Sequence, residues 1–264
     1  MNKRYLGALI LTPLVIFISV GGDLLRYGLL LLSFMGIYEL YSVASKKGIK
    51  PIKFVGYFAT IAYYIFLKNV DFAVVAFLIF LSMMLLLSIT AVNSRYNFND
   101  IFTTIGGFIY VPVFFSFIYL TNVKEYGEYL IWIIFFSSWV SDTCAYFVGV
   151  NFGKHKIIPK ISPNKTVEGS LGGLLGGGIS CFLFGLFAKS NGVQVELYHY
   201  IIIGLLCSIF SQLGDLTASS IKRHVGVKDY SNLIPGHGGI LDRFDSILFS
   251  SVIVFYYVSF IIGL

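Results

Sequence analysis

Charged side chains are scarce in this 264-residue sequence: Asp, Glu, Lys and Arg make up 12% of it, against 57% hydrophobic residues. So little charge excludes a soluble globular fold, because that many apolar side chains could not share one core without leaving large exposed patches. Proline is rare, with 6 residues, and no low-complexity tract or flexible linker divides the chain. No internal repeat is present either. The 3 cysteines, Cys144, Cys181 and Cys207, lack metal-ligand spacing and lie in apolar stretches, so they read as small apolar fillers.

What the chain has is apolar length, with a mean hydropathy of +0.83 and 17% aromatic residues. Runs that could cross a hydrocarbon core about 30 Å thick, at roughly 20 helical residues each, fall at 5–21, 25–44, 52–67, 72–92, 100–121, 126–149, 167–188, 196–221 and 241–263. The sequence therefore predicts an all-α, polytopic integral membrane protein of about nine transmembrane helices, the third being the shortest. Residues 1–121 form a mostly apolar scaffold of helices one to five. Residues 122–264 hold helices six to nine and nearly all the unusual chemistry.

Positive residues accumulate in cytoplasmic loops. With the N-terminus inside, 15 of the 19 Lys and Arg residues become cytoplasmic, leaving only Arg26, Lys68, Lys124 and Lys189 outside. A cytoplasmic N-terminus and a multi-pass location in the inner, plasma membrane are the resulting expectations. Met1-Asn2-Lys3-Arg4 opens like a signal peptide, but without a small-x-small cleavage pattern it reads as the start of a retained first helix. The net charge of +6 is spread over separate loops. Membrane lipids with anionic headgroups, and not nucleic acid, are the partners it fits.

Against this background the segment 211–245 stands out. It holds Gln212, Asp215, Ser219, Lys222, Arg223, Lys228, Asp229, His237, Asp242, Arg243 and Asp245. A charge at bilayer depth costs roughly 2.5 to 3.5 kcal/mol even on insertion scales, so such residues mark a site or a pathway. A solvated loop accounts for Lys228 and Asp229, which are expected to pair at the surface. It does not account for Asp215, two helical turns earlier, nor for the turn Pro235-Gly236-His237-Gly238-Gly239. On helix eight Ser208, Ser211, Gln212, Asp215, Ser219 and Lys222 recur every three or four residues, forming one polar stripe that should face away from lipid.

A second polar stretch runs from Ser141-Asp142-Thr143 to Glu168-Gly169. Gly149 to Lys154 is one residue short of a phosphate loop, and His155 replaces the required Ser or Thr, so it is not a Walker motif. Ser162-Pro163-Asn164-Lys165-Thr166 supplies turn residues and a cation just before a helix N-terminus, where free N–H groups attract phosphate. In helix seven Gly172 and Gly176, Gly173 and Gly177, and Gly185 read as close helix packing, with a backbone cleared for ligand as the alternative; the same faces permit a homodimer.

Depth joins the two stretches. Asp142 and Asp215 each lie about 10 Å above the cytoplasmic ends of their helices at 1.5 Å per residue. Asp242 and Asp245 occupy the first turns of helix nine on one face. Carboxylates at one level, ringed by Lys165, Lys222, Arg223 and Arg243, suit Mg²⁺ held by hard oxygens while cations neutralise phosphate. Phosphoryl and nucleotidyl transfer need this positioning and charge neutralisation, and no protein nucleophile.

The run Ser219-Ser220-Ile221-Lys222-Arg223, then Lys228-Asp229-Tyr230-Ser231, then Pro235-Gly236-His237-Gly238-Gly239 and Asp242-Arg243-Phe244-Asp245 resembles the signature of the phosphatidate cytidylyltransferases, or CDP-diacylglycerol synthases. The stretch from Ser141 to Gly169 is similar to that family's second block. Residues 1–120 match only as hydrophobic helices, and Val150 stands where relatives often carry Arg, so it receives no phosphate role.

The resemblance implies that CTP and phosphatidic acid condense to CDP-diacylglycerol and pyrophosphate, with Mg²⁺ and room for a second cation. For that reaction the residues read as follows: Asp215, Asp242 and Asp245 are assigned to metal. Lys165, Lys222, Arg223 and Arg243 would bind phosphates, together with Ser162, Asn164 and Ser219. His237 would hydrogen-bond a phosphate or donate a proton, and Asp142 would be a metal or supporting residue. Glu39, near the inner end of helix two, is expected to pair with a loop lysine and has no catalytic role. A lipid or polyprenol kinase would share these requirements and differ in the nucleotide used. A transporter would also bury charge, but transporters show repeats and broken helices near the midplane. The motif of an Asp-Gly opening followed by spaced Asp residues, which marks enzymes consuming CDP-diacylglycerol, is absent.

Overall fold

A computed structural model of the chain describes residues 15–69, 72–234, 236 and 238–264. Regular structure among them is helical: α1 (Gly22–Ser45), α2 (Lys53–Phe66), α3 (Phe72–Val92), α4 (Phe98–Asn122), α5 (Gly127–Phe152), α6 (Val167–Ser190), α7 (Leu197–Val225) and α8 (Leu241–Ile262). Two isolated antiparallel bridges, Lys156 to Thr166 and Ile234 to Gly238, pinch the loops that precede α6 and α8.

Six of the helices, α1 and α4 to α8, are long and apolar enough to cross a membrane. They coincide with six of the nine expected spans. Of the other three, residues 5–14 of the first lie outside the described residues, and 15–20 are helical. The third is a helix of 14 residues, which at 1.5 Å per residue reaches only about 21 Å. The fourth is the 21-residue helix α3.

The chain divides into two compact units. The first comprises residues 1–116 and the segment His224–Arg243. Its core is organised around tyrosines whose hydroxyls reach polar partners: Tyr41 donates to the Thr104 carbonyl at 2.7 Å, and Tyr63 pairs with Ser116 at 2.7 Å. Gly107 admits the Tyr41 ring, since a Cβ there would lie 2.5 Å from it. Asn97 and Asp100 form a reciprocal capping box at the start of α4, and Asp100 also accepts the Lys50 N–H at 2.6 Å. Within α4, Pro112 sits in a π-helical turn at Ile109–Val113, where the lost amide donor interrupts the regular ladder.

The second unit comprises Phe117–Arg223 and Phe244–Leu264. Here the glycines of α6 act as close-packing residues. A Cβ on Gly172 would lie 2.5 Å from Val148, one on Gly176 2.5 Å from Cys144, and one on Gly173 2.9 Å from the Ser141 carbonyl. Those partners all lie on α5, so the small-residue face serves packing within the chain. Gly204 of α7 meets the Gly177 carbonyl at 2.7 Å from its ideal Cβ position. Ser138 Oγ donates to Ser250 Oγ at 2.9 Å, a polar tie between α5 and α8 inside an otherwise apolar bundle.

Candidate active site

The polar stripe of α7 faces the interior of the second unit. Ser208, Ser211 and Lys222 are buried, Gln212, Asp215 and Ser219 are half-buried, and the intervening Leu213, Thr217 and Ser220 are exposed. This is the division a 3.6-residue period demands when one face meets lipid and the other meets polar partners.

Three carboxylates meet along that stripe. Asp142 of α5, Asp215 of α7 and Asp245 of α8 lie within electrostatic reach of one another, and their charges repel. Asp245 is buried at 7% exposure, Asp215 is half-buried, and Asp142 stands at the accessible rim. Asp245 Oδ1 accepts the Ser246 N–H at 2.8 Å and the Ser246 hydroxyl at 3.4 Å, beside Asp142. Two lysines oppose them. Lys165 forms an ion pair with Asp215 and donates to the Gln212 carbonyl at 3.3 Å, while the buried Lys222 acts on Asp245.

Lys165 reaches Asp215 because the loop before α6 is braced at several points. Gln212 Nε2 donates to the Ser170 carbonyl at 3.1 Å, and the Ser170 hydroxyl bonds back to the Gln212 side chain. Thr166 caps α6 by accepting the Gly169 N–H at 3.1 Å. Glu168 takes the N–H groups of Lys154 and His155 at 3.0 and 3.2 Å, and its other oxygen meets His155 Nδ1 at 2.6 Å. Gly149 to Phe152 continue α5, and the amides that follow are held by Glu168, so this stretch forms no phosphate loop. Arg223 is exposed and donates through Nε to the Ile161 carbonyl at 3.4 Å. Ser162 is half-buried and Asn164 exposed on the same loop.

Thus Asp142, Lys165, Asp215, Lys222 and Asp245 form one cluster. In the first unit, Asp242 has a different setting: its Oδ2 accepts the Tyr230 N–H at 2.8 Å and the Gly239 N–H at 2.9 Å. Arg243 is exposed, and His237 lies outside the described residues. Glu39, expected to meet a loop lysine, instead accepts the Ser231 hydroxyl and the N–H groups of Ile240 and Leu241. An acidic residue in an apolar run was the available signal, but its target lies about 200 residues away in sequence. Gln212, Ser170 and Ser246 were likewise not singled out as a supporting set, since nothing in local spacing marks which polar residues will face each other.

Among the described residues no group of three His, Cys, Asp or Glu side chains is arranged to hold a metal ion. The donor set nevertheless fits Mg²⁺, which prefers hard oxygens and is commonly held by one or two carboxylates plus water and substrate phosphate. One turn before Asp215, the Ser211 hydroxyl is buried without a hydrogen-bond partner, as is that of Ser141 beside Asp142.

Comparison with known proteins places the chain in a family. The model of the cytidylyltransferase family matches residues 2–261. A protein of Bacillus subtilis named phosphatidate cytidylyltransferase is 33% identical over 258 residues, covering 94% of each chain. Proteins of the same name from Staphylococcus saprophyticus and Staphylococcus aureus are 36% identical, covering 94% of this chain and 95% of theirs.

Proposed function

The chain belongs to the cytidylyltransferase family, and we propose that it is a membrane-embedded phosphatidate cytidylyltransferase condensing CTP with phosphatidic acid to CDP-diacylglycerol and pyrophosphate. The observation that carries this reading is the cluster of Asp142, Asp215 and Asp245 with Lys165 and Lys222, in a unit whose helices are otherwise apolar. A lipid phosphate and a nucleotide both bring negative charge to the same place. Groups that neutralise it, held rigidly, are what this chemistry requires.

In the reaction a phosphate oxygen of phosphatidic acid attacks the α-phosphorus of CTP. The bond from that phosphorus to the oxygen bridging to the β-phosphorus breaks, and pyrophosphate leaves with the electron pair. Lys222, buried beside Asp245, provides a compact charge for the lipid phosphate. Lys165, paired with Asp215, is placed to exchange that carboxylate for a nucleotide phosphate, which would couple substrate binding to release of Asp215. Arg223 offers a planar fork suited to two phosphate oxygens. Ser162, Asn164 and Ser219 add hydroxyl and amide contacts.

Asp215 and Asp245, with Asp142 in support, would hold Mg²⁺, which when bound supplies charge neutralisation across the phosphates. Within the signature segment, His237 and Arg243 are assigned to phosphate and Asp242 to metal. For Asp242 that role would be additional to its two amide bonds.

The same reading places the cluster on the cytoplasmic side of the inner membrane, where CTP is available, with the N-terminus inside. Cysteines introduced near Lys50 and Lys160 should then be protected from an impermeant thiol reagent in intact cells, while one near Glu125 labels. Labelling at either of the first two positions would reverse the sidedness. The activity itself is tested with purified protein in mixed micelles containing phosphatidic acid. CTP should yield CDP-diacylglycerol and pyrophosphate, whereas transfer of a γ-phosphate from ATP to a lipid would identify a kinase.

A further inference from the structure

Glu39 is a buried carboxylate for which the reaction has no use. It lies on α1 at 1% exposure, in a helix rich in Leu, Tyr and Gly. A carboxylate in that position is costly unless donors surround it. Three do. Oε1 accepts the Ser231 hydroxyl at 2.6 Å and the Ile240 N–H at 2.9 Å, and Oε2 accepts the Leu241 N–H at 2.9 Å. Leu241 opens α8, so Glu39 satisfies amide donors that the helix itself leaves without partners.

The sequence of the segment is built for this approach. A Cβ on Gly239 would lie 2.5 Å from Glu39 Oε2, so any side chain there would displace the carboxylate. Gly238 takes φ +83°, the left-handed conformation that lets the chain fold back so that Ile234 N–H reaches the Gly238 carbonyl at 2.8 Å. Asp242 grips the same segment through the amides of Tyr230 and Gly239. Tyr230, Ser231 and residues 239–241 are therefore held by two carboxylates, one local and one supplied by α1.

We propose that Glu39 is a positioning residue: through Ser231, Ile240 and Leu241 it fixes the backbone that leads into Asp242 and Arg243 of the signature in the conformation the reaction needs. This deepens the cytidylyltransferase reading and rests on it. Glu39 reaches the chemistry only through that backbone, so its loss should act on turnover through local order.

The test uses the full-length purified protein and pairs kinetics with amide hydrogen exchange. In Glu39→Gln one acceptor becomes an NH₂ group facing backbone donors. Exchange in residues 230–241 should rise at least about tenfold while α5 and α6 keep their protection, and kcat should fall at least about tenfold with smaller changes in both KM values. Glu39→Asp, which keeps the charge but shortens the reach, should be intermediate. Glu196→Gln, at an exposed pair with Lys189, should match the wild type.

If Glu39→Gln does not accumulate, Gly239→Ala provides the same readout with Glu39 intact. Faster exchange with unchanged kcat would make Glu39 a purely structural clamp and overturn the proposal, as would lost turnover with unchanged exchange. Absence of CDP-diacylglycerol synthesis by the wild-type protein would reject the parent reading instead, and the exchange pattern would still report whether the clamp exists.

Discussion

Glu39 and Asp215 are both acidic side chains on apolar helices, yet their oxygens are used in opposite ways. In the first unit, Glu39, Asp100 and Asp242 each accept backbone N–H groups, so their charge is dispersed over fixed dipoles. In the second, Asp215 faces Lys165, and Asp142 and Asp245 face Asp215 and each other. A carboxylate matched to amides organises the chain around it. One matched to ammonium groups, with like charges close by, is primed to exchange partners when phosphate or a cation arrives. The apolar setting is common to both; the partner decides the role.

The comparison breaks most decisively at Asp215. Asp215→Asn keeps the size and the fold but removes the charge that a hard cation and Lys165 require, so kcat/KM should fall by more than about a thousandfold. Near-normal turnover at saturating Mg²⁺ would transfer Asp215 to the organising class. Lys165→Met tests the other half of the ion pair. Losing a charge-assisted contact of about 1.5 to 3 kcal/mol should lower kcat/KM for CTP by about tenfold to a hundredfold. An unchanged value would mean that Lys165 only braces the loop before α6.

Arg223→Lys preserves the charge and removes the planar fork, so kcat/KM for phosphatidic acid in mixed micelles should drop by at least about tenfold. Lys228→Arg, farther along the exposed segment, should stay within about twofold of the wild type. Equal, slight effects would reduce Arg223 to a headgroup anchor. The smallest effect on activity is expected at Asp100. Asp100→Asn weakens the capping box and the bond to the Lys50 amide, costing about 1 kcal/mol of stability by thermal unfolding in detergent, with kcat unchanged. A large loss of turnover there would erase the distinction between the two kinds of carboxylate.

Much of this molecule is legible in the order of its residues. Apolar runs of membrane-spanning length gave six helices within a few residues of their structural ends, because hydropathy and the 1.5 Å rise are local properties. The short α2 matches its expected run of 52–67 to within one residue at each end, closing at Phe66 before a 3₁₀ turn at Leu67–Asn69. The polar stripe of α7 was visible for the same reason, as a pattern with the period of the helix. Rise per residue, combined with the expected helix directions, put Asp142 and Asp215 at one level.

Partnership was not legible. That Lys165 meets Asp215, that Gln212 braces Ser170, and that Glu39 meets Ile240 and Leu241 depends on which helix faces which, a choice made by the close approach of glycines such as Gly172, Gly176 and Gly239 and by the need of every buried polar atom for a counterpart. Composition and periodicity determined that this chain enters a membrane and carries charge into it. The tertiary structure decided which charges are held by amides and which are left to one another, because only folding brings donors from distant segments to the same carboxylate.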